Sequence, residues 1–306
     1  HDPVAPARAP RPPAMSRPEL QAPAEVFYGE DEAAKYLHNS RMIEVQGAMA
    51  ERALEMLCLP EGAPCLLLDV GCGTGLSGEV LEEAGHTWVG TDISGPMLEA
   101  AVERGSGGCL LRRDMGDGLP FRDGVFDGAV SVSAVQWLCH AERSDQSPRK
   151  RLLRFFESLY RCLRRGARAA LQFYPQDAAQ LQLITASAMR AGFGGGLVVD
   201  YPHSTRAKKY FLVLLAGPPD PGFSMPRGLG DDGSVAEGQG PEGERGAVAL
   251  VGREHARARR AGAGRKGRGP VKDRDWVVRK KEAMRRQGRQ VREDSRYTAR
   301  KRRPKF

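Results

Sequence analysis

The run Leu66-Leu67-Leu68-Asp69-Val70-Gly71-Cys72-Gly73-Thr74-Gly75-Leu76-Ser77-Gly78 decides the fold. Its apolar half reads as a strand covered on both faces, and the glycine-rich half as a turn into a helix. Gly71, Gly73 and Gly75 carry no Cβ, so the chain can turn sharply there and approach a ligand closely. The helix that opens near Leu76 directs its positive end toward that ligand. Outward from this stretch the rhythm repeats, with strands expected at 65–70, 87–91, 109–111, 126–132 and 168–172. Helices are expected between them at 76–84, 96–103, 149–163 (closed by Gly166) and 178–189, and ahead of them at 31–57. Such alternation builds a parallel sheet with helices on both faces. The segments 196–201 and 210–215 are joined too tightly for a helical crossover, so they pair as an antiparallel hairpin. The expectation is an α/β, Rossmann-like sheet of seven strands whose last hairpin is antiparallel.

Two nucleotide readings share the glycines. Gly73-x-Gly75-x-x-Gly78, with Asp92 about twenty residues on, satisfies the dinucleotide fingerprint. Gly71-x-Gly73-x-Gly75 preceded by Asp69 is instead the pattern of class I S-adenosylmethionine (AdoMet) methyltransferases. A carboxylate at the strand end suits the amino group and sulfonium of AdoMet and repels a pyrophosphate. Five parallel strands followed by an antiparallel hairpin favour the same choice.

Ligands of open α/β sheets sit at the carboxyl ends of the strands, which nominates further residues. Cys72 lies within the glycine turn. Asp92 ends the second strand and can take the ribose hydroxyls, its alternative being an N-cap for the helix at Pro96. Asp114 ends the third strand and can accept from the adenine amine, with Ile93 and Met115 enclosing the ring. Asp117 is a rival that fits a turn between Gly116 and Gly118. Tyr36 and Arg41 are candidates to close over the methionine end, Arg41 against its carboxylate.

After the fourth strand comes Ser131-Val132-Ser133-Ala134-Val135-Gln136-Trp137-Leu138, which faces the methyl group in this fold. The Asn/Asp-Pro-Pro-aromatic motif of exocyclic-amine methylation is missing there, as is the Pro-Cys nucleophile of pyrimidine-carbon methylation. Cys139 falls past the loop and reads as core. Ser133, Gln136 and Trp137 offer polar groups and a flat stacking face without a general base. An acceptor with an available lone pair, such as a purine ring nitrogen, needs chiefly positioning. Trp137 can stack on an extruded base or simply fill the core.

Charge is unevenly distributed. The 306 residues carry a formal +9, but residues 253–306 hold 22 Lys/Arg against 6 Asp/Glu, a net +16, leaving −7 on residues 1–252. An acidic body with a basic tail suits a polyanionic partner, most simply nucleic acid, and the tail can also carry a nuclear localisation signal. Within the tail, 273–287 can form a helix that orders on a partner. Residues 217–252, rich in Gly, Pro and acids, read as a flexible linker; residues 1–24 read as disordered, with Met15 the expected natural start. The methyltransferase domain is then 25–216. Six cysteines without a C-x-x-C pair suggest neither a disulfide framework nor a metal site in this chain. No apolar run reaches membrane-span length, and no signal peptide is expected.

Several of these stretches together resemble one family. Residues 69–78, Ser131 through Leu138, and Asp200-Tyr201-Pro202-His203-Ser204-Thr205-Arg206-Ala207-Lys208-Lys209-Tyr210 are similar to the 18S ribosomal RNA (guanine-N7) methyltransferases of the Williams–Beuren syndrome region. Trp276, Lys280-Lys281-Glu282, Arg285-Arg286-Gln287-Gly288-Arg289 and residues 297–306 resemble that family's carboxyl terminus, with Ala299 where the family usually has Gly. Leu119-Pro120-Phe121 and Phe126-Asp127 belong to the wider superfamily. The likeness spans about 25–217 and 268–306, while 229–264 departs from it. It implies AdoMet-dependent N7 methylation of one 18S rRNA guanosine, work on the pre-40S particle, and nuclear and nucleolar residence with some nucleoplasmic or cytoplasmic pool. It also implies a small zinc-binding activator subunit in a heterodimer. A physical place for that subunit is the third strand, Cys109-Leu110-Leu111, an edge in this class of sheet that needs covering. The competing functions are a quinone-type small-molecule methyltransferase, which gives the basic tail no purpose, and an assembly factor whose binding outweighs its catalysis.

Overall fold

The computed structural model describes residues 17–143, 146–205, 207–218, 224–230 and 247–248. The chain divides into two compact units, His1–Gly252 and Arg253–Phe306. The second unit, with the expected helix at 273–287, lies outside the described residues.

In chain order the first unit holds α1 (Ala24–Phe27), α2 (Glu30–His38), α3 (Ser40–Leu57), β1 (Leu66–Val70), α4 (Leu76–Glu83), β2 (Thr87–Asp92) and α5 (Gly95–Glu103). There follow β3 (Cys109–Arg112), β4 (Phe126–Val132), α6 (Pro148–Cys162), β5 (Leu163–Phe173), α7 (Ala178–Arg190), β6 (Gly194–Asp200), β7 (Lys209–Leu215) and the two-residue β8 (Ala247–Val248). The sheet runs β3-β2-β1-β4-β5-β7-β6-β8. Strands β1 to β5 pair in parallel, and β7 is antiparallel to both β5 and β6, so the expected hairpin is present.

The leucines of β1 form the sheet's centre because both faces are covered. Leu68 and Val70 join Phe155, Phe156 and Leu159 of α6 on one side. Leu67 joins Met56, Leu57, Leu81 and Trp88 on the other. Trp88, only 2% exposed, is accommodated by glycines: a Cβ on Gly78, Gly90 or Gly108 would come within 2.2–2.7 Å of its ring. Gly78, the third glycine of the dinucleotide-like spacing, therefore serves helix–strand packing.

Four expectations are corrected. The single helix at 31–57 is two, because Asn39 adopts an extended backbone and its side chain accepts from Met42 N at 3.1 Å. Asn favours such a cap over a helix interior. The helix before β5 ends at Cys162, and Gly166 lies inside β5, where its N–H reaches Ala216 O. Residues 17–24 are ordered, since the Arg17 guanidinium donates to Tyr174 O and Pro175 O, both at 2.9 Å, and Ala24 is buried. Parts of the expected linker are also placed. Leu229 exchanges hydrogen bonds with Tyr201 N and the Asp200 carboxylate, and Val248 pairs with Leu197 as an eighth strand.

Candidate active site

A cleft opens at the carboxyl ends of β1, β2 and β4, where an open α/β sheet places its ligand. It encloses about 930 Å³, including space open to solvent. Gly71, Cys72, Gly73, Asp92, Ile93, Asp114, Met115, Tyr36, Ser133 and Trp137 all line it, so ten residues named from sequence converge there.

The turn after β1 is held from beneath. Gly71 and Cys72 donate their N–H groups to Thr91 O at 2.7 and 3.1 Å, Gly73 donates to Asp92 Oδ2 at 2.8 Å, and Gly75 donates to Cys72 O at 2.9 Å. Gly71 has φ +74°, and a Cβ there would lie 2.3 Å from the Ala134 Cβ. These four amides are committed internally, so none of them is offered to a pyrophosphate. The cleft instead presents carboxylates, Asp92, Asp114 and Glu142, beside apolar Ile93, Met97 and Met115. Those acceptors fit a nucleoside with a cationic far end, as AdoMet is.

Asp92 receives Gly73 N on one oxygen and Ser94 N, at 2.9 Å, on the other. Burial pushes its carboxyl up, opposed by the N–H groups of Ser94, Gly73 and Ile93. The N-cap alternative falls to its neighbour, since Ser94 Oγ accepts from Met97 N at the start of α5. Asp114 lines the cleft but is occupied by Gly116 N at 2.7 Å and Arg151 Nη2 at 2.9 and 2.7 Å. Asp117 is exposed and faces Arg154 at 3.8 Å.

Four expected site residues do not line the cleft. Asp69 is fully buried beneath the turn, because its place in β1 aims its side chain onto Ser77 of α4. One of its oxygens accepts from Ser77 Oγ; the other has no hydrogen-bond partner, and burial raises the carboxyl to about 7. Gly75 is the N-cap residue of α4 and packs on Ser106. Arg41 is exposed on α3; the break at Asn39 resets the helix, and Gln46 reaches the cleft instead. Gln136 is buried and donates Nε2–H to Ser133 O at 2.9 Å, bracing the acceptor loop from behind.

That loop is strained. Ser133 has φ +58°, unusual outside glycine, and is fixed by its N–H to Gln172 O at 2.9 Å and its hydroxyl to Gln172 Oε1 at 2.8 Å. Trp137, 6% exposed, forms an aromatic wall with Tyr28 at 5.4 Å and Phe27 at 5.8 Å, and Tyr36 lies 6.1 Å beyond Tyr28. The Cys72 thiol is pushed up by burial, and that of Cys139 is pushed up to about 12 for the same reason, so neither is a nucleophile near neutral pH.

The sequence relationships agree with this chemistry. A family model described as "Methyltransferase involved in Williams-Beuren syndrome" matches residues 214–304, and one described as "Methyltransferase domain" matches 68–171. The mouse 18S rRNA (guanine-N(7))-methyltransferase is 52% identical over 95% of this chain and 98% of its own length. The Arabidopsis thaliana 18S rRNA (guanine-N(7))-methyltransferase RID2 is 52% identical over 95% and 99%. The Saccharomyces cerevisiae 18S rRNA (guanine(1575)-N(7))-methyltransferase is 45% identical over 95% and 100%. The chain belongs to the 18S rRNA (guanine-N7)-methyltransferase family.

Further residues complete the cleft in this member of the family. Tyr28, Glu142 and Arg151 line it, Ser94 ties its hydroxyl to Tyr28 O at 2.6 Å, and Glu142 accepts from Ala24 N at 3.2 Å. Ser94-Gly95-Pro96 is a readable N-cap signature. Tyr28, Glu142 and Gln172 lack any local signal, since tertiary contacts alone bring them to the site.

Proposed function

We propose that this chain transfers the methyl group of AdoMet to N7 of a guanosine in 18S rRNA and takes part in maturation of the small ribosomal subunit. Relatives bearing that activity in their names align over 95% of the chain, and this carries the reading. AdoMet, when bound, supplies an electrophilic methyl on a sulfonium. Asp92 and the Gly71–Gly73 turn would hold its nucleoside and methionine portions, with Ile93 and Met115 against the ring.

N7 of guanine attacks through a lone pair and carries no proton to remove, so the acceptor side needs alignment more than acid–base chemistry. The fixed Ser133 backbone and the Trp137 wall provide it, and exclusion of water between them strengthens the field of the buried carboxylates. Mapping N7-methylguanosine in rRNA from cells with and without the chain tests the reading. One guanosine should lose its modification on depletion; an unchanged map would reject it.

The same reading extends to a partner and a place. Among the described residues strand β3 ends the sheet, with Cys109 exposed and Leu110 and Leu111 half-buried, so a small zinc-binding activator subunit can cover it in a heterodimer. The basic segment 253–306 serves as an address and RNA-binding tail for nuclear and nucleolar work on the pre-40S particle, with a nucleoplasmic or cytoplasmic pool in transit.

A further inference from the structure

The motif Asp200 to Tyr210 is not used by the chemistry above, yet the sheet carries its end to the cleft. Ser133 N bonds Gln172 O, and Gln172 and Phe173 of β5 pair with Phe211 and Tyr210 of β7. Two strand spacings, about 10 Å, therefore separate the acceptor loop from the start of β7. Tyr174 fills that interval. It packs with Val132, which lines the cleft, and its hydroxyl meets Met49 Sδ at 3.4 Å.

Three cations stand beside Tyr174 and Tyr210, two at the first and one at the second. Lys209 Nζ stands 5.0 Å from the Tyr174 ring centre, Lys208 Nζ stands 6.0 Å from that of Tyr210, and Arg17 holds the Tyr174 and Pro175 carbonyls. None forms an ion pair with a carboxylate among the described residues. Two carboxylates on adjoining elements are engaged with other groups. Asp200, in register with Lys209, is bound by Arg52 at 2.9 Å, and Asp177 caps α7 through Gln180 N at 2.7 Å. Cations seated on aromatic faces stand out on residues 1–252, which carry −7 overall.

We propose that Arg17, Lys208 and Lys209 form a track for the phosphodiester backbone of the RNA strand flanking the target guanosine, with Tyr174 and Tyr210 as sequence-tolerant contact faces. N7 lies in the deep, narrow groove of an A-form helix, so the flanking backbone must be held while the base is presented to the cleft. Each lysine holds its ammonium over a tyrosine ring at a partly exposed position, where an RNA phosphate can approach it. The inference rests on the RNA methyltransferase reading and adds a binding surface separate from the basic tail.

The test uses the full chain with its activator and a guanosine-containing rRNA fragment. K208E/K209E should raise KM for RNA about tenfold or more and lower the salt slope of RNA binding by about 1.4, from roughly 0.7 per phosphate contact. AdoMet affinity, thermal midpoint and kcat at saturating RNA should stay unchanged, and K208R/K209R should behave as wild type. Should the reversal lower the thermal midpoint, K208Q/K209Q replaces it, with a smaller rise in KM expected. Unchanged KM and salt slope, or a parallel loss of AdoMet affinity, would overturn the track. Wild-type protein that leaves the fragment unmethylated would instead reject the underlying activity.

Discussion

Asp69 has no exposed surface and one oxygen without a partner, and burial raises its carboxyl from 3.8 to about 7. An acid whose folded value is raised binds its proton more tightly in the native state. Its ionisation therefore lowers stability as pH rises from about 4 to about 7 and adds nothing further above that. A bound sulfonium and ammonium would favour the ionised form, so AdoMet binding should release a proton from Asp69 near neutrality. Affinity for AdoMet should weaken below pH 7 by up to about tenfold per unit. Calorimetry at pH 6 and pH 8 should show a steeper pH dependence for wild type than for D69N; equal slopes would contradict the linkage. A Cβ on Gly78 would lie 2.2 Å from the Trp88 ring, so G78A should cost about 1–3 kcal/mol through overpacking. The loss should appear in denaturant melts, and a stability equal to wild type would show that Trp88 can move aside.

Strand β3 has one neighbour, β2, and its other edge has no pairing strand among the described residues. Leu110 packs on the cluster containing Trp88, whereas Leu111 points to the opposite face and belongs to no buried cluster. L111D should therefore leave the fold's own core intact while disabling the edge as a docking site. The expected outcome is loss of co-purification with the activator and poor solubility when expressed alone; a soluble, fully active, unpartnered variant would remove this account. The same elements show what sequence could convey. The βαβ succession and the hairpin were legible because apolar runs, glycine turns and a short connector are local signals. Asn39 was legible only in principle, because apolar spacing continues through 31–57 and conceals a cap that interrupts it. The segment at 17–24 was not legible at all. It is Pro-rich and short of apolar residues, and its order derives from Arg17 reaching carbonyls more than 150 positions away. At the site, the glycines and Asp92 were readable as a motif. Asp69's inward aim and Gln136's bracing role depend on which face of an element each occupies once the sheet is assembled.

The whole chain separates charge by position, with −7 on residues 1–252 and +16 on 253–306. An acidic body disfavours diffuse attraction to RNA, so encounter with the pre-ribosome should be driven by the tail, and selection of the strand by the cleft and its rim. Residues 268–306 alone carry 16 Lys/Arg against 5 Asp/Glu. Deleting them should weaken binding to rRNA most at low salt and flatten the salt dependence, because fewer counterions are released per complex. The residues that line the cleft all lie at or before Arg151, so AdoMet affinity should be unaffected. Filter binding of an rRNA fragment across about 50 to 200 mM salt, with AdoMet calorimetry on the same preparations, separates the two effects. If the truncated chain keeps the full salt slope, the phosphates are met by the folded body and the tail is an address alone. If the slope falls while kcat at saturating RNA is retained, the tail supplies encounter and the cleft supplies the chemistry.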